Sequence, residues 1–370
     1  MAAGDFSAST SLTIQAMMED AIAEGNQANA EFQRPVVTAQ AITTNQTSEI
    51  REILQGDICV GYKVMWQKGT TDAAAYSGAI SGDTLNCTIT GTQLESDSKT
   101  YNVDNHVRTN VAVSTDDCGN DMKANMRRMK ALQKAFNNNR VAFNTVAVNF
   151  LEAQMQVNQD SGVTSINRGN GAWAVNADTK TIEVRQSDTR DEKALAFVDA
   201  VLQNNDISNY FFVHGRSNWY ELFHNAAYTR QNDNERSIFA TFANRDHYFD
   251  LRYLDSTLTG SNTFAVNPAS LVFLNKAGYE NREAQNISST DGLWAWSMPD
   301  PIWSWRGPDG NLIPVLHTIL MTRACTGRDA NGLPVFTENY EVSTKYELEY
   351  GPAGRNGETG IMKFASVADA

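Results

Sequence analysis

DDCGNDMKANMRRMKALQKAFNNNRVAFNTVAVNF, residues 116–150, is the stretch on which the fold turns. Asp116 or Asp117 offers an N-cap carboxylate. Met122, Met126, Met129, Leu132, Phe136, Phe143, Val146 and Phe150 then follow three or four residues apart, with one missed position near Arg140. The spacing predicts one helix of about 35 residues, which at ~1.5 Å per residue is about 50 Å long. A small domain is only ~30 Å across, so such a helix must run along an elongated subunit or bridge between its parts. Lys123, Arg127, Lys130 and Lys134 fall on the side roughly opposite the apolar stripe, so one face packs and the other is basic. Asn137-Asn138-Asn139 has weak helix propensity and leaves open whether the helix is straight or bent there.

Working outward towards the N-terminus, Glu49 to Val113 has β-type segments such as Cys59-Val60-Gly61-Tyr62-Lys63-Val64-Met65-Trp66, separated by turns around Gly69, Gly78, Gly82 and Gly91. Much of it is too polar for a buried core. A two-stranded excursion from about Val64 to Asn110, with a solvated tip, accounts for that composition. The first fifty residues are rich in Ala, Ser, Thr, Gln and Asn. They read as an extended arm with one short amphipathic helix (Leu12, Ile14, Met17, Met18, Ile22) that is broken before Pro35.

Beyond the helix, a turn-rich segment (Asp160 to Asn176) precedes a strand, Thr181–Arg185. The capping box Thr189-Arg190-Asp191-Glu192 opens a second helix, Leu195 to Leu202. A buried strand follows at Tyr210–His214, then a Gly215 turn and a short helix, Ser217 to Ala227. More strands are expected at Tyr248–Leu254, Thr263–Val266, Leu271–Asn275, Pro314–Thr322 and Tyr340–Tyr350, with turns at Gly307-Pro308-Asp309-Gly310 and Asp329-Ala330-Asn331-Gly332. The fold class is α+β, with a mixed α/β second half.

The chain has 370 residues, of which 41% are hydrophobic, enough to bury a large core. Its 43 acidic against 30 basic residues give a net charge of −13, which opposes adhesion of the surface as a whole to nucleic acid or acidic lipid. No run reaches the ~18 apolar residues of a membrane span, and Met1-Ala-Ala-Gly-Asp-Phe lacks the form of a signal peptide. We therefore expect no membrane partner. Cys59, Cys87, Cys118 and Cys325 form no Cys-x-x-Cys pair and read as reduced, structural thiols.

No convergent set of catalytic groups stands out. His106, His214, His224, His247 and His317 include no His-x-x-x-His pair. Ser81, in Gly78-Ala79-Ile80-Ser81-Gly82, is one residue too far from the first Gly for a nucleophile elbow. His214-Gly215-Arg216-Ser217 sits between a strand and a helix, with His224 about two helical turns on. Gly215 as a tight turn and Ser217 as a helix cap account for that segment without catalysis. Asp329-Ala330-Asn331-Gly332 opens like a calcium loop, but Tyr340 stands where the acidic twelfth ligand belongs. No phosphate-binding loop exists, and neither cofactor nor metal is expected. Trp294, Trp296, Trp303 and Trp305 alternate as on an amphipathic strand pair covering a core edge or a subunit contact. With the basic residues Lys123, Arg127, Lys130 and Lys134 they are the candidate intersubunit contacts.

In this order the segments resemble the Hong Kong 97-type major capsid proteins of tailed bacteriophages and the related encapsulin shells. The matching stretches are 1–48 for the N-terminal arm, 49–115 for the extended β-hairpin loop, and 116–188 for the spine helix and peripheral domain. The α/β axial domain would occupy 189–345, and a C-terminal peripheral strand and tail 346–370. The resemblance implies a structural protein without enzymatic activity that self-assembles into hexamers and pentamers of an icosahedral shell. That shell would surround double-stranded DNA, in a virion assembled in the bacterial cytoplasm. It further implies a portal and, because 1–48 leaves no room for a fused scaffold segment, a separate scaffolding protein. Some relatives crosslink Lys to Asn, and Lys63, Lys68 and Lys99 lie in the loop region. Another virion component or a hydrolase centred on His214 or His224 are the alternatives.

Overall fold

The computed structural model describes residues 6–23, 36–47, 49–52, 61–67, 96–114, 121–154, 165–167, 172–176, 181–185, 198, 202, 207, 209–215, 245–250, 261–279, 281–288, 292–328, 334–350 and 360–367. The apolar stripe forms the expected helix as one continuous element, α3 (Asp121–Gln154, 34 residues), which passes through Asn137-Asn138-Asn139 unbroken. Two shorter helices precede it. α1 (Ala8–Ala23) starts at Ser7, whose amide donates to Thr10 Oγ1 at 3.0 Å while Thr10 N returns to Ser7 O, a reciprocal cap. α2 (Val37–Asn45) follows Pro35 in a segment expected to be extended. Its Ala39, Ala41 and Ile42 are fully buried, so packing rather than amphipathic pattern makes it helical.

Strands β1 (Glu49–Glu52), β2 (Gly61–Gln67) and β3 (Ser96–Asn102) form a small antiparallel sheet, in which β2 and β3 pair from Gly61↔Asn102 to Gln67↔Ser96. This is the root of the expected excursion; residues 68–95 lie outside the described residues. The excursion does not extend to Asn110. The next strand, β4 (Asn105–Ser114), leaves it and pairs along Tyr346–Thr337 of the main sheet, since Val107, Val111 and Val113 alternate toward α3.

A seven-stranded sheet runs in the order β5-β6-β7-β16-β10-β8-β9: Ser165–Asn167, Ala172–Asn176, Thr181–Arg185, Ile361–Val367, Ser261–Val266, Phe211–His214 and His247–Phe249. Two of its pairings, β16–β7 and β8–β9, are parallel. A second sheet has the order β11-β15-β14-β13-β12, with β4 added on β15. Its strands are β11 (Leu271–Lys276), β12 (Gln285–Ser288), β13 (Leu293–Arg306), β14 (Leu312–Arg328) and β15 (Pro334–Tyr350). The 345/346 boundary falls inside β15, and the last strand, β16, pairs between β7 and β10 in the seven-stranded sheet. The second capped helix and the Ser217–Ala227 helix lie outside the described residues except for 198 and 202.

Two cores meet α3. Its N-terminal half (Met129, Leu132, Ala135, Phe136) packs with Phe6, Ile14 and Met18 of the α1 region over Trp296, Ile319, Met321, Tyr340 and Val342 of the second sheet. Its C-terminal half (Phe143, Ala147, Val148, Leu151) joins α2, the hairpin root (Tyr62, Val64, Tyr101), and Phe211, Val213, Phe264 and Phe273 from both sheets. Phe143 sits against Phe273 (5.2 Å), Trp303 (4.8 Å) and Tyr346 (4.9 Å). At its end, Glu152 pairs with Lys363 of β16 at 2.8 Å, tying the helix to the seven-stranded sheet. The helix is therefore a strut between the two sheets.

Candidate assembly surface

α3 carries six cations between Met122 and Leu151 (Lys123, Arg127, Arg128, Lys130, Lys134, Arg140) and not one carboxylate. The structure divides them in two. Arg128 and Arg140 are 1% and 3% exposed and turn into the protein, whereas Lys123, Arg127, Lys130 and Lys134 are exposed. At 100° per residue the exposed four fall within an arc of about 60° and a length of ~16 Å. Arg127 Nη1 donates to Ser114 O at 3.2 Å, pinning the helix beside the end of β4.

Three buried polar groups fix the helix's rotation and hence the direction of that face. The first is Arg128 on Glu338: Nε donates to Oε2 at 2.7 Å, Nη2 to Oε1, and Tyr340 Oη adds a 2.6 Å bond to Oε2. Burial alone would lower the Arg128 pKa, but the Glu338 hydrogen bond and charge outweigh it and raise it. Tyr340 is pushed well up by burial and by the neighbouring Glu338 charge.

The second joins Asn139 and Arg140 to the sheet. Asn139 donates to Val342 O (3.0 Å) and Thr344 Oγ1 (3.2 Å) and accepts from Thr109 Oγ1 (2.8 Å). Arg140 Nη1 reaches Asp300 Oδ1 at 3.1 Å, and His317 Nε2 lies 3.0 Å from Asp300 Oδ2. Burial would raise the Asp300 pKa, yet the His317 hydrogen bond and Arg140 charge bring it below its ordinary value. Asp300 lies at a bulge in β13, where it also accepts from the amides of Ile302 and Trp303. The missed position at Arg140 is thus a buried ion pair.

The third is Asn144, which donates to Asp250 Oδ2 (2.9 Å) and accepts from the Ala39 amide (2.8 Å), while Thr38 Oγ1 donates to the same Asp250 oxygen (2.6 Å). It ties α2, α3 and the end of β9 together.

The tryptophan expectation is corrected. Trp296, Trp303 and Trp305 are 0–2% exposed and belong to the chain's own two cores, so their indoles have no surface to offer a neighbour. Trp294 is half-buried, and its ring meets Phe6 at 5.4 Å. All four stand on one strand, β13, rather than on a strand pair. Met122 and Met126, expected to face inward, are 69% and 40% exposed. The partners that matter most, Arg128 and Glu338, did have a signal. Arg128 lies beside Met129 on the apolar arc, and Glu338 shares the alternation of Tyr340 and Val342.

His214 does not lie in an open cleft. It is 2% exposed, with Nδ1 3.0 Å from Thr263 Oγ1 and Nε2 2.8 Å from His247 Nδ1, inside a stack with Phe212 and Phe249. Burial, then the neighbouring His247 charge, lowers its pKa well below the ordinary value. Such a histidine is a neutral packing element. His224, Ser81, Cys59, Cys87, Cys118, Lys68 and the loop 329–333 lie outside the described residues. Lys63 and Lys99 lie on β2 and β3 one register step apart (Lys63↔Thr100, Val64↔Lys99). Cys325 is free and exposed. Among the described residues no three His, Cys, Asp or Glu groups converge as a metal would require, and no helix is long and apolar enough to cross a membrane.

On the face of the second sheet turned away from α3 lies a shallow cleft of about 450 Å³. Asn110, Ala112, Leu293, Leu320, Thr322 and Glu341 line it. These residues alternate with the inward row Val111, Tyr340, Met321 and Trp294.

No family model matches the chain, and no curated protein matches it. Among solved structures it is similar to a capsid structure of the cyanophage P-SCSP1u, with 10% identity, a TM-score of 0.39 and 88% of each chain covered. It is similar to a structure from Mycobacterium phage Che8, with 9% identity, a TM-score of 0.37, and 82% of this chain and 84% of that one covered. The asymmetric unit of the bacteriophage PhiM1 mature capsid gives 10% identity, a TM-score of 0.34, and coverage of 86% and 92%. Similarities at this level assign no residue and decide no function.

Proposed function

We propose that this chain is the major capsid protein of a tailed bacteriophage, with a Hong Kong 97-like fold, and that it builds hexamers and pentamers of an icosahedral shell around double-stranded DNA. One observation carries the reading. A 34-residue helix runs through two cores that together engage both large sheets, and a hairpin root, whose strands β2 and β3 are joined through residues 68–95, is built into one of those cores. The rigid strut suits a lattice subunit, which needs stiffness within itself, and the 28 residues between β2 and β3 suit the reach to neighbours that such a subunit also needs. On this reading α1 and α2 belong to the arm and β2–β3 to the extended loop. α3 with the β4, β11–β15 sheet makes the peripheral domain, and the seven-stranded sheet with 186–246 makes the axial domain. The protein acts structurally, not as a catalyst. Its partners are further copies of itself, a separate scaffolding protein, a portal and the packaged DNA. It assembles in the bacterial cytoplasm and resides in the virion shell.

The test is a loop deletion whose limits follow the strand register. Joining Met65 to Ser98 through a two-residue Asn-Gly turn keeps the hairpin root and removes its outer part. The shortened chain is expected to stay soluble with unchanged thermal stability but to form no closed shells when co-expressed with its neighbouring genes. Closed shells of normal size from it would overturn the role given to the loop.

A further inference from the structure

The basic face of α3 points to a partner. We propose that Lys123, Arg127, Lys130 and Lys134 form a binding surface for the phosphate backbone of duplex DNA, so that this side of the long helix is the one turned to the packaged genome. The inference rests on the capsid reading for its setting and on the helix itself for its chemistry.

The charges are concentrated where the rest of the chain is not. A protein of net charge −13 places four exposed cations on one arc of one helix, whose sequence holds no Asp or Glu between Asp121 and Glu152. Lys130 and Lys134 make no ion pair among the described residues. The two cations that would point elsewhere, Arg128 and Arg140, are held inside by Glu338 and Asp300. Those buried pairs also lock the rotation of the helix, so the array is preorganised and loses little freedom on binding.

The pattern suits a phosphate backbone better than the alternatives. Four cations spread over ~16 Å on one face suit the evenly charged backbone of a duplex, with no demand on base sequence. Beyond Lys134 the exposed residues of the helix include Asn138, Ala142 and Asn149, which are small and uncharged. Single-stranded nucleic acid would call for aromatic platforms, and the exposed residues of α3 include none. An acidic protein segment would call for an apolar anchor within the array. The exposed Met122 and Met126 lie to one side of it and only at its first turns.

The experiment uses the unassembled full chain and a random-sequence 30-base-pair duplex, with binding measured by fluorescence anisotropy across a series of NaCl concentrations. Assembly competence is scored on the same preparations by light scattering after scaffold-assisted assembly. The variants are Lys130→Gln/Lys134→Gln and the quadruple that adds Lys123→Gln and Arg127→Gln; Gln keeps the helix propensity and all four sites are exposed. At about −0.9 per phosphate contact, the wild-type slope of log K against log salt should lie near −3.6, falling to about −1.8 in the double variant, with binding lost in the quadruple.

Assembly unchanged with binding lost supports the inference. Binding and slope unchanged in the quadruple overturn it, and so does loss of assembly with duplex binding intact, which would make the face a protein contact. Equal affinity of the wild type for polyglutamate and for the duplex at matched salt also overturns it. If the wild type binds the duplex in this charge-dependent way yet never assembles, the capsid reading fails while the polyanion surface stands.

Discussion

At the scale of single residues, the charges that matter for stability are the hidden ones. Glu338 is fully buried and compensates Arg128, with the Arg323 guanidinium 3.7 Å away. Glu338→Gln leaves the Arg128 charge without its counter-ion in the interior, and is expected to cost about 3–5 kcal/mol, read as a lower denaturant midpoint. Arg128→Met/Glu338→Leu, which removes both charges and keeps the volume, should recover most of that loss. If the single variant costs no more than the double, the pair does not anchor the helix. His214 sets a pH dependence. Its pKa is lowered in the folded chain and ordinary, about 6.5, in the unfolded one, so below that pH the unfolded state takes up a proton that the native state refuses. Stability should therefore fall as pH drops through about 6, by up to ~1.4 kcal/mol per pH unit from this residue, and His214→Phe should flatten the profile. Equal profiles for both proteins would contradict the assignment. Asp300, with its lowered pKa, acts in a separate window: its contribution is complete above the ordinary carboxylate range and disappears only at more acidic pH.

At the scale of elements, α3 is legible in the sequence because an apolar period of 3.6 sustained over more than thirty residues is the mark of a long helix with one packed face. Its polar inner residues are not. Asn139, Arg140 and Asn144 look like breaks in the stripe until the sheet supplies Val342, Asp300 and Asp250 opposite them. The neighbours Asn138 and Asn139 make the distinction testable, since the first is exposed and the second fully buried. Asn138→Ala should stabilise by about 0.5 kcal/mol through helix propensity, whereas Asn139→Ala should cost about 1–3 kcal/mol by leaving Thr109 and the Val342 carbonyl without their partner. Equal effects, measured by thermal unfolding, would mean that the helix is not docked in this rotation. The strands Thr181–Arg185 and Leu271–Lys276 are likewise readable from composition. β4 reads as part of the loop because its outer face (His106, Arg108, Asn110, Ala112) is largely polar; only the pairing with β15, more than two hundred residues later, shows where it belongs. α2 is hidden for the opposite reason, being short, rich in Ala and Thr, and helical by virtue of its burial.

At the scale of the whole molecule, the long helix and several strands that follow it can be read from the chain, because they depend on local periodicity and composition. The partition into two sheets cannot, because β16 inserts between β7 and β10 and β15 crosses the expected boundary, and such long-range pairings leave no local signal. The candidate contacts divide on the same principle. Lysines on a helix face are exposed by default, whereas tryptophans alternating on a strand go wherever the core is, and here the core is the chain's own. What results is a chain whose two cores are braced by one strut and whose hairpin root is built into one of them. The most direct test is the size of the particles formed by the purified chain, alone and co-expressed with its neighbouring genes, by light scattering followed by negative-stain microscopy. Closed shells, or hexamer and pentamer rings that convert to them, are the expected result. A stable monomer of 40.8 kDa under every one of these conditions would contradict the capsid role.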